Sequence, residues 1–108
     1  MPAGHEVRPG KWSEVIDLFD NGHYSAVWGS YEEGDHCLGV RWNKGGEGET
    51  GYPNQGGNPL WYVEPSFLTE PILQALLTIV QQEGQESSRN REEYMKNLKT
   101  ALKELREP

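Results

Sequence analysis

Apolar residues fall in short blocks along the chain, and their spacing changes from block to block. Residues 1–11 carry prolines, glycines and charges but no apolar run, and read as a loose N-terminal arm. In 12–22, WSEVIDLFDNG, Trp12, Val15, Ile16 and Phe19 recur at i, i+3, i+4 and i+7, the spacing of one helix face, with Gly22 as a stop. The same stretch holds the β-branched pair Val15-Ile16 and ends in Asn21-Gly22, a strong short-range hairpin signal. We read it as a hairpin strand, with the helix as the alternative. HYSAVWGSY (23–31) reads as a strand, EEGD (32–35) as a turn and HCLGVRW (36–42) as a second strand. Alternation puts Cys37, Gly39 and Arg41 on one face of that strand and Leu38, Val40 and Trp42 on the other. A Gly-rich loop spans 43–58, and LWYV (60–63) is a short strand closed by Pro65.

Two helices follow. Thr69-Glu70-Pro71 resembles a cap, an acidic first-turn residue and an early proline, so a helix is expected from about Glu70 to Gln82, before Gly84. Only Gln74, Thr78 and Gln81 form a polar stripe on it, which predicts cover on several sides. A C-terminal helix over 88–106 opens near Asn90, with Glu93 three residues on as in a capping box. Tyr94, Leu98, Ala101 and Leu105 recur on it at 4-3-4 spacing as one apolar seam. The expectation is an α+β fold over 1–108: one domain, with a small antiparallel sheet of three to four strands packed by two C-terminal helices. A monomer of this size would leave part of the helical layer bare. The seam of Tyr94, Leu98, Ala101 and Leu105 is therefore the expected interface of a homodimer.

Charge changes the picture of partners. The chain has 10 basic and 17 acidic residues, a net of −7. Residues 1–86 hold 4 basic and 13 acidic side chains, net −9, while 87–108 hold 6 and 4, net +2. An acidic body repels phosphate backbones, so nucleic acid is not the main ligand expected, and a basic protein partner is. The single cysteine, Cys37, allows no intrachain disulfide and suits a reducing compartment. MPAGHEVRPG has no secretory pattern, and the longest apolar stretch, within Ile72–Val80, is too short to span a bilayer. A cytoplasmic protein away from membranes is the expectation.

The densest chemistry lies in 41–65, RWNKGGEGETGYPNQGGNPLWYVEP, with two tryptophans, two tyrosines, three prolines and six glycines around one arginine. Such a shaped loop between strands is where functional residues are often carried. Arg41 needs a carboxylate or carbonyl partner, with Glu64 and Asp35 as candidates, or it contacts an anion or partner. A binding surface is assigned to Arg41, Asn43, Tyr52, Asn54 and Trp61. Trp61 and Tyr62 cannot face the same side of a strand, so one of them turns toward solvent or a partner.

Other motifs are weaker. The string from Gly46 to Gly51 spells G-x-G-x-x-G, but Tyr52-Pro53 stands where a helix should begin, and no cofactor is assigned. His36 and Cys37 are neighbours on a strand and point to opposite faces, so they make no nucleophile–base pair. Ser13, Ser25 and Ser30 lack a nucleophile-elbow context. His23, His36, Glu32, Glu33 and Asp35 lack metal-ligand spacing, and no catalytic or metal residue is assigned. Lys96, Lys99, Lys103 and Arg106 form a basic stripe that reads as a solvated helix face.

LGVRWN, then GYPNQGGNPLWYVEP and an apolar helix, resembles short uncharacterised bacterial proteins of accessory or mobile elements, over about residues 23–80. That resemblance implies a bacterial accessory role and brings no ligand or catalytic residue with it. The function expected is a protein-interaction module that sequesters a basic partner, by analogy with acidic immunity or antitoxin-like proteins. The alternatives are a small-molecule binder with a pocket under the 43–58 loop and, behind it, a small hydrolase.

Overall fold

The computed structural model describes residues 3–43, 51–82 and 88–106. Its strands are β1 (Trp12–Asp20), β2 (Tyr24–Tyr31), β3 (His36–Trp42), β4 (Asn54–Gln55), β5 (Asn58–Pro59) and β6 (Tyr62–Val63), followed by helices α1 (Ser66–Gln82) and α2 (Ser88–Arg106). The main sheet is antiparallel in the order β1-β2-β3-β6, and β4 and β5 form a separate small hairpin. The fold is α+β, with the strand boundaries of β3 and the span of α2 as read from the sequence.

β1 is a strand although its apolar spacing fits a helix. Two register shifts, between Ser13 and Ile16 and between Asp17 and Phe19, explain the conflict. Each shift lets an extra residue bulge out and changes which face the next side chains use. Trp12 and Val15 thus meet one face of the sheet, and Ile16, Leu18 and Phe19 the other. Glu14, at the first shift, has φ 55°. The turn into β2 is set by Asn21, whose Oδ1 accepts from the backbone N–H groups of His23 and Tyr24 at 2.9 Å each.

Both faces of the sheet are covered. On one side Leu18, Phe19, Ala26, Trp28, Leu38 and Val40 pack under Leu73, Leu76 and Val80 of α1 and Leu98, Ala101 and Leu102 of α2. On the other side Val7, Trp12, Val27 and Trp61 form a second cluster, with Cys37 packed against it. Gly39 lies between them, where a Cβ would meet the Trp12 and Trp61 side chains at 2.8 and 3.2 Å. The N-terminal arm is therefore not loose in its described part, residues 3–11. Val7 is buried, Gly4 N–H donates to Asp20 Oδ2 at 2.9 Å, and Arg8 pairs with Asp17 at 2.9 Å. The second sheet face needed an apolar cover, and Val7 supplies it.

The helices differ from expectation at three points. α1 begins at Ser66, a turn earlier than the Thr69 cap suggested. Pro65 O accepts from Leu68 N–H at 3.0 Å and from the Thr69 hydroxyl at 3.2 Å, and Pro71 lies inside the helix on an exposed position. Cover on α1 centres on Thr69, Leu73, Leu76 and Val80, with Ile72 and Leu77 packed beside them, while Phe67, Leu68 and Ile79 are exposed. Finally, the expected interface seam lies inside the chain. Leu98 and Ala101 are fully buried against the sheet and α1, with Tyr94 and Leu105 packed beside them. The expected interface is thus used within the chain as a core seam.

Polar contacts at both ends hold the helices antiparallel. Arg91 donates through Nε to Val80 O and through Nη2 to Gln81 O at the end of α1, and Arg106 pairs with Glu70 at its start at 2.8 Å. Such groups satisfy the carbonyls a helix leaves open at its C-terminus. Burial of this seam makes a stability prediction. Leu98→Ala should lower the unfolding free energy by about 2–5 kcal/mol, because it leaves a cavity among packed side chains. Leu98→Glu should abolish the cooperative urea transition, since a carboxylate there has no partner. A folded Leu98→Glu variant would contradict this packing.

Candidate functional site

Arg41 organises the end of β3. Its guanidinium is buried on the face opposite the helices, and Nη1 donates to Pro53 O at 3.1 Å and to Leu60 O. The Trp61 ring lies beside it, 6.0 Å from centroid to Cζ. Burial lowers its pKa from the usual value. The expected partners Glu64 and Asp35 are not the ones these bonds use; backbone carbonyls of the loop are. Arg41 thus fastens residues 51–60 to the sheet. Trp42 and Tyr52 exchange backbone bonds of 2.8 and 3.0 Å, and the Tyr52–Pro53 peptide is cis. Gly51, at φ 76°, has no room for a side chain, because a Cβ would collide with Trp42 O and Arg41 Nη2.

Asn43 is also buried, in a polar network. Its Nδ2 donates to Asp20 Oδ1 at 3.0 Å, and its Oδ1 accepts from the Ser25 hydroxyl at 2.6 Å. Its backbone N–H donates to His23 O at 2.7 Å. Asp20 in turn accepts from Gly4 and Gly22 N–H groups, so the network ties the arm, the β1–β2 turn and the end of β3 together. Trp61 is buried and donates Nε1–H to Val7 O at 2.9 Å. Asn54 is exposed and donates to Gly51 O at 2.8 Å. Of the five residues assigned to a binding surface, Arg41, Asn43 and Trp61 are thus engaged inside the fold, and Tyr52 and Asn54 face solvent. Trp61 borders the pocket described below. Residues 44–50, with most of the glycine string, lie outside the described residues.

The surface feature that stands out is a row of aromatic rings. Tyr24 pairs with Trp42 in the β2–β3 register, Trp42 bridges to Tyr52, and Val40 pairs with Tyr62. Directly paired residues share a sheet face, so all four rings stand on the helix-facing side. Tyr24 and Trp42 meet edge to face at 4.8 Å. Trp42, Tyr52 and Tyr62 are 53%, 63% and 53% exposed. Sequence alternation put Trp61 and Tyr62 on opposite sides without saying which faces solvent; it is Tyr62, while Trp61, the one assigned to the binding surface, is buried. Trp42 was missed as a surface residue, because its strand position alone reads as core. On the opposite side, Lys11, Trp12, Tyr31, Gln55, Leu60 and Trp61 border a pocket of about 330 Å³.

His36 is held between two carboxylates. Its Nδ1 is 2.6 Å from Glu104 on α2, and its Nε2 is 3.1 Å from Glu14 at the β1 bulge. Glu104 also accepts from Trp28 Nε1–H at 2.9 Å. Cys37 lies on the other face, half-buried, and burial pushes its thiol pKa up, which makes it a poor nucleophile. Among the described residues no group of three His, Cys, Asp or Glu side chains is arranged to hold a metal ion.

Two predictions follow from these contacts. Arg41→Met should cost roughly 2–4 kcal/mol, because it strands the Pro53 and Leu60 carbonyls without their donor. It should also speed protease cleavage within 51–60, and an unchanged digestion pattern would contradict the fastening role. The second prediction concerns pH. The hydrogen bond to Glu104, with lesser help from Glu14, raises the His36 pKa above its usual 6.5. The bond to His36, then that to Trp28, lowers Glu104 below its usual 4.5. The His36 contribution is fully present below 6.5 and is lost as pH rises through the raised value. The Glu104 contribution is present above 4.5 and is lost as pH falls through the lowered one. Urea midpoints of the wild type and His36→Gln should therefore differ most near about pH 5.5 and converge by about pH 9. A difference that grows with pH would show the sign to be wrong.

Among the described residues no helix is long and apolar enough to cross a membrane. No protein family matches the chain, and no curated protein or solved structure matches it either.

Proposed function

We propose that the protein is an interaction module whose contact surface is the aromatic row Trp42, Tyr52 and Tyr62, and whose partner is a basic protein segment. The carrying observation is the exposure of three large aromatic side chains at adjoining sheet positions. Tryptophan and tyrosine dominate the energetics of protein contacts, since they bury much area at little conformational cost. Their ring faces also attract arginine and lysine. The net charge of −7 supports a cationic partner by drawing it in over longer range. This reading accords with the accessory role implied by the resemblance and with sequestration of a basic protein.

One observation favours a second reading. The pocket of about 330 Å³ beside Trp61 lies near the lower end of the range for ligand sites, and Trp12, Tyr31 and Trp61 are among its walls. A small ligand would bind there, beside the 51–60 segment and Gln55 of the loop.

Calorimetric titration with a synthetic arginine-rich nonapeptide separates these readings. The wild type should bind it saturably, and Trp42→Ala and Tyr52→Ala should each weaken binding by about tenfold or more. Both variants keep the net charge, so bulk attraction alone predicts no change. Affinity unaltered in both would refute the aromatic surface. Loss with Gln55→Ala, with both row variants unaltered, would move the site to the pocket.

A further inference from the structure

Three tryptophans are buried, and two of them spend the indole N–H inside the chain. Trp28 Nε1–H donates to Glu104, and Trp61 Nε1–H donates to Val7 O. Trp12 is only 8% exposed, yet its Nε1–H donates to no described residue and is not sealed from water. Such a donor must be met by water or by a ligand. Trp12 is a wall of the pocket of about 330 Å³, with Tyr31, Leu60 and Trp61, while Lys11 and Gln55 stand exposed at its rim. The Trp12 and Tyr31 rings meet at 5.3 Å, tilted by 54°. The bare Cα of Gly39 holds the far end of the Trp12 ring in place, so this wall is fixed before any ligand arrives.

The other polar tips around the pocket are uncommitted in the same way. Among the described residues the Tyr31 hydroxyl and the Gln55 side-chain amide enter no hydrogen bond. Indole N–H donates only, and the hydroxyl and the amide also carry donors, so the walls suit a ligand rich in acceptors. Those acceptors are not anionic. The β2–β3 turn adjoins the rim, since Glu32 N–H donates to Lys11 O at 2.8 Å and Glu32 pairs with the Lys11 ammonium at 3.3 Å. Glu33 and Asp35 of that turn are exposed and make no ion pair among the described residues. With a net charge of −7 behind it, the turn repels an anion and attracts a cation. Carbonyl acceptors without charge, and without competing N–H donors, are what a run of prolines presents. Its rings pack on aromatic walls, and its extended helix is largely formed before binding.

We infer that this pocket receives a proline-rich peptide segment flanked by a basic residue. The prolyl rings lie against Trp12, Tyr31 and Trp61, and the Trp12 Nε1–H and the Tyr31 hydroxyl donate to peptide carbonyls. The basic flank meets Glu33 and Asp35. The inference rests on the second reading above, that the pocket is a binding site, and adds the chemistry of its occupant. The pocket and the aromatic row of Trp42, Tyr52 and Tyr62 lie on opposite faces of the sheet, so the two contacts are independent.

NMR titration of the isotope-labelled full chain with an acetylated hexaproline peptide ending in an arginine amide tests this. The Trp12 indole N–H resonance should move downfield to saturation, while that of Trp28, already bonded to Glu104, stays in place. Tyr31→Phe and Gln55→Ala should each weaken binding by about two- to tenfold, the value of one hydrogen bond, with the fold intact by circular dichroism. A counterpart with alanines for the prolines and the same arginine should bind about tenfold more weakly or worse. Equal binding of the two peptides would overturn the inference, as would an unmoved Trp12 signal. Loss on Trp42→Ala, with Tyr31→Phe and Gln55→Ala unaltered, would overturn it by moving the peptide to the aromatic row. A neutral fluorophore, N-phenylnaphthylamine, separates the occupant from the site. If it moves the Trp12 signal and the proline peptide does not displace it, the pocket stands as a ligand site and the proline occupant is overturned. If neither compound moves that signal, the pocket reading falls as well.

Discussion

A sheet with two apolar faces is the constraint on which the rest of this structure depends. β2 is buried along Ser25–Ser30 without interruption, so its neighbours on both sides must exclude water. The two helices supply one cover. The other comes from pieces distant in sequence, Val7 from the arm and Trp61 from the segment before β6, joined by the Trp61 Nε1–H bond to Val7 O. Each alone is too small to cover a sheet face. Packed around Trp12, and with Gly39 leaving room for the rings, they make a second core.

That second core explains the buried polar residues. A guanidinium removed from water must keep its hydrogen bonds, and Arg41 finds acceptors in Pro53 and Leu60 of its own chain. Asn43 does the same with Asp20, Ser25 and His23. These groups looked like ligand contacts because arginine and asparagine in a Gly-rich segment are often found there. Their engagement ties residues 51–60 to the sheet. Among the described residues, Trp42, Tyr52 and Tyr62 stay exposed on the sheet.

The charged contacts differ in how many elements they join. Lys11–Glu32 and Arg106–Glu70 are exposed pairs of the sort that add little. The His36 contact differs because it uses both ring nitrogens and joins three elements, with Glu14 from β1 and Glu104 from α2. Two carboxylates on one imidazole favour its doubly protonated form, so the join between the end of α2 and the sheet depends on pH.

Local order was legible in the sequence. Alternation in HCLGVRW gave the faces of β3, Asn21-Gly22 marked the hairpin, and the 4-3-4 repeat marked the buried face of α2. Those features arise between near neighbours, where backbone geometry translates spacing into direction. Tertiary structure decided what covers each face. Nothing in a polar arm announces that Val7 seals a sheet, nor does the seam of Tyr94, Leu98, Ala101 and Leu105 say whether α1 or a second copy meets it. Arg41 is the clearest case: its need for acceptors follows from its chemistry, but their identity depends on how Pro53 and Leu60 are folded back against β3. Periodicity specifies that a surface must leave water, whereas the partner that removes it is chosen among all segments of the chain at once, by shape and by hydrogen bonds that only the assembled fold brings within reach.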